Sequence, residues 1–402
     1  MKGNIAIVFD ANVIMSLNIF RSLGAHSVNV ASLYSDRFAE EPFHKITSSS
    51  KFSGVKYHID ADNYEPSLLE NINKVASSCE NYAVLLPTSD KDMNIISINR
   101  DLLQSNTKFL FPDHSIIEML LNKHLFYPHF EKLSIPVPRT FSNASGSNIN
   151  EISNLIQYPC IIKPAWRNQQ WIRRNKSVKA YYFAGKKELL EAFPTFKSNF
   201  DEIVIQEYIS GSEENIVCYI SLVDENSDPM FDFTCRKLRQ YPVTFGDTSM
   251  AVSTHDEEII EISRDIIKKI KFKGLIGIEY KYDPQAQTYK VIEITPCRFD
   301  RQASILNRSN IDLPIIYYNY LCYDMKRAQI PSYKLGVKWF SEINEARSFP
   351  KYILKHKYGI GRFLKSYKGP KTFEIFSRRD IKPFIQLIFS TTVRKVKRAL
   401  KI

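Results

Sequence analysis

Three observations predict an α/β fold followed by an α+β fold and a basic, mainly helical tail. Short apolar runs alternate with helical spacing up to about residue 115. Stronger strands crowd residues 158–300 and finish in a hairpin. Residues 334–402 then hold 18 lysines and arginines against 4 acids, whereas the 333 residues before them hold 37 basic and 39 acidic groups. Strand–helix–strand order implies a parallel sheet with right-handed crossovers, and two strands joined by a tight turn imply an antiparallel pair.

Ile5–Phe9 reads as a buried strand, and Asp10 and Asn12 interrupt it before a signal-peptide core could form. A helix ending at Gly24, a strand over Ser27–Val30 and another over Ala83–Pro87 follow, with Thr88-Ser89-Asp90 placed to cap the next helix. No GxGxxG follows the first strand, so this unit lacks a dinucleotide fingerprint. Ser115–Glu118 opens a helix, Ile135–Pro138 is extended, and Ser142–Asn150 is a polar link. Strands are expected at Cys160–Lys163, Glu202–Gln206, Ile216–Leu222, Met230–Arg236, Gly277–Tyr282 and Tyr289–Ile294, with a turn at Asp283–Gln287. Between them, Ile259, Ile262, Ile266 and Ile270 mark one apolar face of a helix over Glu257–Lys271.

A chain of 402 residues suits two or three domains, and its 44% hydrophobic and 24% charged content excludes disordered, collagen-like and disulfide-scaffold classes. No apolar run reaches the length of a spanning helix. Six scattered cysteines form no CxxC pair, which leaves free thiols in a reducing cytoplasm as the expectation. The body is close to neutral, so no nucleic-acid partner is expected of it.

Glu279 and Glu293 lie on the two strands of one hairpin, each flanked by apolar residues and so turned to the face opposite its neighbours. Two like charges paired across a hairpin repel unless a cation sits between them, and hard oxygen ligands suit Mg²⁺. The alternative is two solvated strand-face glutamates. Lys163 ends an apolar strand, where it either reaches a phosphate or marks the exposed end. Arg236-Lys237-Leu238-Arg239 places three cations at a strand end, which reads as a solvated edge or, beside buried acids, an anion clamp.

In order, these pieces resemble the ATP-grasp superfamily over roughly residues 116–325. The resemblance implies a domain division of 1–115 (an N-terminal pre-ATP-grasp α/β domain), 116–325 (a two-subdomain ATP-grasp fold) and 326–402 (a basic C-terminal extension). It implies that ATP binds between the two subdomains with Mg²⁺, or Mn²⁺ in its place. Lys123 and Lys163 are similar to the family's phosphate lysines, and Gln206-Glu207-Tyr208-Ile209 to its adenine hinge. Glu213, or Glu214 beside it, falls where the ribose acid stands, and Glu279 resembles the first metal acid. Glu293-Ile294-Thr295 resembles the Glu-x-Asn pattern with Thr295 in the asparagine's place, and Cys297 stands where an arginine is usual, with Arg298 next to it.

The loop after Lys163 lacks the usual glycines and carries Arg167, Arg173 and Arg174, which could cover ATP, with Trp166 and Trp171 as substrate stackers or apolar anchors. Arg236 to Pro242, followed by Phe245-Gly246, resembles a subgroup of carboxylate–amine ligases that includes D-aspartate ligases. That implies an ADP-forming ligase joining a small carboxylate to an amine, with Arg236, Arg239, Arg298 and Arg301 as candidates for gripping the carboxylate. The alternatives are another ATP-grasp reaction, such as carboxylation or phosphoryl transfer, and a nucleotide-binding protein without turnover.

In the tail, Ile385, Leu387, Ile388, Phe389 and Val393 precede Arg394-Lys395-Val396-Lys397-Arg398. Such a segment either lies on an anionic membrane, at the inner face for a cytoplasmic protein, or packs as a helical appendage, with RNA as the third reading.

Overall fold

A computed structural model describes residues 3–10, 12–35, 42–142, 148–166, 171, 178–200, 202–301, 303–355 and 359–399. In chain order the strands are β1 Ile5–Phe9, β2 Asn29–Ser35, β3 Val55–Ile59, β4 Ala83–Leu86, β5 Thr107–Lys108, β6 Thr140–Ser142, β7 Cys160–Pro164, β8 Tyr181–Phe183, β9 Ile203–Glu207, β10 Ile216–Val223, β11 Phe233–Tyr241, β12 Asp247–Thr254, β13 Gly274–Asp283, β14 Thr288–Pro296, β15 Lys338–Phe340 and β16 Lys371–Phe373. The helices are α1 Val13–Ala25, α2 Pro42–Ser48, α3 Tyr64–Ser77, α4 Asp90–Ile98, α5 His114–Leu121, α6 Lys123–Lys132, α7 Ile149–Leu155, α8 Lys186–Asn199, α9 Glu257–Lys269, α10 Ala303–Arg308, α11 Leu313–Tyr323, α12 Glu342–Lys355, α13 Ile360–Ser366 and α14 Lys382–Ala399.

β1 to β5 form a parallel sheet in the order β3-β2-β1-β4-β5. All five residues of β1 are buried, as a strand covered by helices on both faces requires. The strand order reverses between β1 and β4, and open sheets of this kind leave a crevice at the carboxyl ends of such strands. There Thr88 Oγ1 donates to Phe9 O at 2.5 Å and accepts from Asn12 N at 3.1 Å, which ties the two strand ends together. Asn12 caps α1 by accepting from Ile14 N, and Ser89 caps α4 by accepting from Asp92 N. β3 is polar and largely exposed, so its residues carry no apolar run to betray a strand.

The second unit has two sheets. β6-β9-β7-β8 is a small antiparallel sheet packed on α7 and α8, with Trp171 buried against Phe196 and Phe200. Trp171 is therefore an apolar anchor. The larger sheet runs β14-β13-β10-β11-β12-β15-β16. α9 lays the predicted isoleucines on it, with Ile259 and Ile266 fully buried.

β11 extends to Tyr241, beyond the strand end expected at Arg236. The cation run is thus inside a strand, where alternation sends neighbouring side chains to opposite faces. After it the chain turns back so tightly that a Cβ at Gly246 would lie 1.9 Å from Pro242 O, which leaves only glycine there.

The extension is mainly helical, and it also supplies strands. β15 pairs antiparallel with β12, and β16 pairs parallel with β15. α12 covers β11 through Arg239, whose side chain has no solvent exposure. Its Nε donates to Glu345 Oε1 at 2.7 Å, its Nη1 donates to Ser366 Oγ at 2.9 Å, and its guanidinium lies 4.3 Å from the Phe363 ring centre. The far end of the extension docks on the N-terminal unit, where Arg21 Nε donates to Asp380 Oδ2 at 3.0 Å and Leu387 packs with Leu17, Ile46 and Ile375.

A buried charge stripped of its partner is destabilising by about 3–5 kcal/mol, whereas an apolar pair of similar volume is often neutral. Arg239→Ala should therefore lower the urea midpoint sharply, and the double change Arg239→Met, Glu345→Leu should restore most of it. Equal midpoints for the parent and the single variant would show that this pair does not hold the extension in place.

Candidate active site

β13 and β14 pair so that Glu279 stands directly opposite Glu293, on a shared face of the sheet. The ladder slips between Glu279 and Tyr280, whose partner is Val291, so Ile292 is an extra residue in β14. This bulge aims the acid. With Val291 buried, strict alternation would send Glu293 into the core, and the added residue turns it out beside Glu279. The carbonyl of the bulged Ile292 accepts from Tyr127 Oη at 3.1 Å.

Each acid has its own cations. Lys237 Nζ donates to Glu279 Oε1 at 2.9 Å, with side-chain exposures of 5% and 27%. Burial works against the Lys237 ammonium, but attraction to Glu279 outweighs it and holds the amine above its ordinary value. Glu293 opens to water yet is enclosed by protein charge. Burial works against its carboxylate, and the pull of Lys123, then Lys179 and Lys163, outweighs that and holds its pKa down.

Lys163, at the end of β7, donates to Tyr127 Oη at 2.8 Å. Burial lowers its pKa to about 8 against the attraction of Glu293. Lys123 opens α6, its backbone N–H and its ammonium both directed at Ala165 O, and burial plus repulsion from Lys163 lower its pKa. Tyr127 thus joins Lys163 to the bulge that aims the acid. Burial pushes the Tyr127 hydroxyl up to about 12, so it stays protonated and can donate.

Along the cleft, β9 runs into the Gln206–Ile209 segment. Gln206 is buried and donates to Thr140 Oγ1 at 2.7 Å. Glu207 is ion-paired to Lys290. The Tyr208 ring meets Tyr182 and Phe245 edge-on, with Lys281 Nζ 4.9 Å from its centre. Lys281 also donates to Ile209 O at 2.7 Å, and burial lowers its pKa to about 8 against the attraction of Glu213. Glu213 accepts from Gln240 Nε2 at 3.4 Å. The neighbouring acid contributes its backbone instead, Glu214 O accepting from Arg236 Nη1 at 2.8 Å.

The four arginines expected to grip a carboxylate have separate placements. Arg236 faces Asp256 at the start of α9, 3.2 Å away, on the other side of β11 from Lys237. Arg239 is consumed by the extension as described, so it is a packing residue. Strand alternation and a bulge between Lys237 and Gln240 account for both placements. Arg298 alone bears on the acids, through the field at Glu293, and it bridges to Asp90 at the start of α4 while Phe299 N donates to Pro87 O. Arg301 is ion-paired to Glu374 and lies 3.5 Å from Asp247, which also receives Lys179 Nζ at 2.5 Å. Arg167, Arg173 and Arg174 lie outside the described residues.

Thr295 pairs with Gly277, two residues from each acid on the same face. A Cβ at Gly277 would come within 3.3 Å of Asp300 Oδ2 and 3.7 Å of Thr295 Cβ, which puts Asp300 against this surface. Sequence reasoning missed Tyr127, Lys179, Lys237 as a partner of Glu279, and Asp300. Only Lys237 had a signal, its place two strands from an acid-bearing hairpin. Among the described residues no three His, Cys, Asp or Glu side chains converge as a metal cluster.

No family model matches the sequence. The chain is 24% identical over 277 residues to the D-aspartate ligase of Enterococcus faecium, covering 65% of this chain and 63% of that protein. It is 22% identical over 263 residues to the C-terminal section of the carbamoyl phosphate synthase large chain of Methanopyrus kandleri, covering 63% and 46%. It spans less than two thirds of the length of either relative. The L-amino acid ligase from Bacillus licheniformis shares its fold, with a TM-score of 0.56 over 82% of this chain and 77% of that one at 12% identity. In sequence and in fold the chain is similar to ATP-grasp enzymes. Within the ATP-grasp superfamily its likeness is to the carboxylate–amine ligases.

Burial lowers the amines of Lys163 and Lys281 to about 8 each. Limiting acetic anhydride at pH 8 should label these two ahead of the surface lysines, followed by peptide mass spectrometry. Because Glu293 favours the Lys163 ammonium, Glu293→Gln should move the Lys163 labelling midpoint lower and leave that of Lys281 in place. A Lys163 midpoint near the ordinary lysine value would contradict the described enclosure.

Proposed function

We propose that this protein is an ADP-forming ligase that joins a small carboxylate to an amine with ATP and Mg²⁺. The observation that carries the reading is the opposed pair Glu279 and Glu293, with Lys123 and Lys163 gathered at the same acid. Paired carboxylates plus phosphate oxygens suit Mg²⁺, which keeps part of its water shell and needs no third protein acid. Thr295 and Asp300 border the pair and complete its oxygen-rich face. When bound, the ion supplies charge neutralisation on the nucleotide phosphates.

In this reading Lys123 and Lys163 hold phosphates, the Gln206–Ile209 segment takes the adenine, and Glu213 takes the ribose hydroxyls, with Glu214 turned aside. Lys237 holds Glu279 in place. Arg298, fastened to Asp90 at the crevice of the N-terminal sheet, binds the substrate carboxylate there. The carboxylate oxygen attacks the γ-phosphorus, the bond from that phosphorus to ADP breaks, and an acyl phosphate forms. The amine nitrogen then attacks the carbonyl carbon, the carbon–oxygen bond breaks to release phosphate, and the amine gives up a proton. The protein's part is alignment and neutralisation of the transferring oxygens, so no nucleophilic side chain is needed.

A second reading is a nucleotide-binding protein without turnover. It draws on Glu279 being already held by Lys237 and on Thr295 standing where the pattern has asparagine.

ADP release measured across a matrix of carboxylates and amines separates the two, since a ligase requires one member of each class together. Lys163→Ala should weaken MgADP binding roughly tenfold to a hundredfold by calorimetry, the value of a charge-assisted contact of about 1.5–3 kcal/mol. Glu293→Gln should abolish Mg²⁺-dependent turnover while leaving most of the metal-free nucleotide affinity. Parental binding and turnover in both variants would refute the assignment.

A further inference from the structure

Half of the exposed large apolar residues described, nine of eighteen, follow residue 334. They include a stripe along one helix. On α14, Ile381 just before the first turn, Ile385 and Phe389 are spaced four apart and are 40%, 57% and 64% exposed. Four-residue spacing puts them one above another on one face. The opposite face is spent inside the protein, with Leu387 against Leu17, Ile46 and Ile375 and Phe384 edge-on to Phe376. The helix thus has two apolar faces, of which the body covers one.

Charge decides what fits the other. Residues 381–402 contain six basic groups and no acid. Arg378, Arg379 and Lys382 are exposed at the start of the helix, and Arg394, Lys395, Lys397 and Arg398 lie along its final turns. An apolar stripe between two groups of cations on a helix too short and too polar to cross a bilayer matches an interfacial helix. We propose that α14 lies on an anionic lipid surface, its stripe entering the headgroup boundary and its basic ends meeting lipid phosphates. This surface is separate from the acid pair and stands or falls independently of the ligase reading.

The test uses the full chain and sedimentation with vesicles of phosphatidylglycerol mixed with phosphatidylcholine, or of phosphatidylcholine alone. The parent should sediment with the anionic vesicles, and high salt should release it. Each basic residue near the surface changes partitioning on the order of fivefold, so Arg394→Glu with Lys395→Glu should lower it well over tenfold. Ile385→Asp with Phe389→Asp should lower it comparably while the melting temperature and nucleotide binding hold. Should that pair disturb folding, Phe389→Trp is the milder probe, and its emission should shift to the blue on anionic vesicles.

Equal recovery with neutral vesicles, or anionic binding indifferent to the stripe, would overturn the proposal. So would retention of the parent by single-stranded RNA with none by vesicles, or a dimer in sedimentation velocity that the stripe variant dissociates.

Discussion

Two negative charges held face to face on neighbouring strands set the terms for everything around them. Glu279 and Glu293 repel across the β13–β14 ladder, and each has been given separate relief. Lys237 reaches Glu279 from β11 in the same sheet, while Lys123, Lys163 and Lys179 act on Glu293 from the other side of the cleft. This charge imbalance thus adds to the Lys290–Glu207 ion pair and the Lys281–Ile209 hydrogen bond that also join the small sheet to the large one. Tyr127 makes the link directional, since its single hydroxyl receives Lys163 and grips the bulge that turns Glu293 outward.

The remaining units close the ends of the cleft. The connector after β14 lays Arg298 and Phe299 against the carboxyl end of β4, so the N-terminal crevice adjoins the acid-bearing hairpin. On the far side the extension completes the large sheet and seals Arg239 inside it. A cavity of 480 Å³ in that layer, lined by Phe340, Phe349, Tyr367 and Phe373 with Glu342 and Glu345, shares no residue with the cleft.

What could be read in the amino-acid order was whatever depended on local period. The apolar β1, the isoleucine face of α9 and the apolar neighbours of each acid all announced themselves, and with them the hairpin that opposes Glu279 to Glu293, but the bulge at Ile292 did not. Position along a strand was harder to read. Arg236, Lys237 and Arg239 look like one basic cluster, yet the pleat sends Arg236 and Lys237 to opposite faces, and a bulge further on leaves Arg239 buried against the extension. Tyr127 and Asp300 gave no local sign, because their roles come from contacts far apart in the chain. β3, β15 and β16 are short or polar, and their strand character comes from the neighbour they pair with.

The pairing of β15 with β12 has a bearing on how the chain is made. Domains generally begin folding as they leave the ribosome, amino-terminal parts first. Met250, Ala251 and Val252 of β12 receive Phe340, Trp339 and Lys338 from a segment synthesised much later. Until that segment emerges, the nascent sheet presents an open edge with Ala251 and Met250 bare, the kind of edge on which chains associate wrongly. The arrival of Trp339, fully buried in the finished protein, caps that edge. The interval between synthesis of the two segments is thus the one in which this edge stands open.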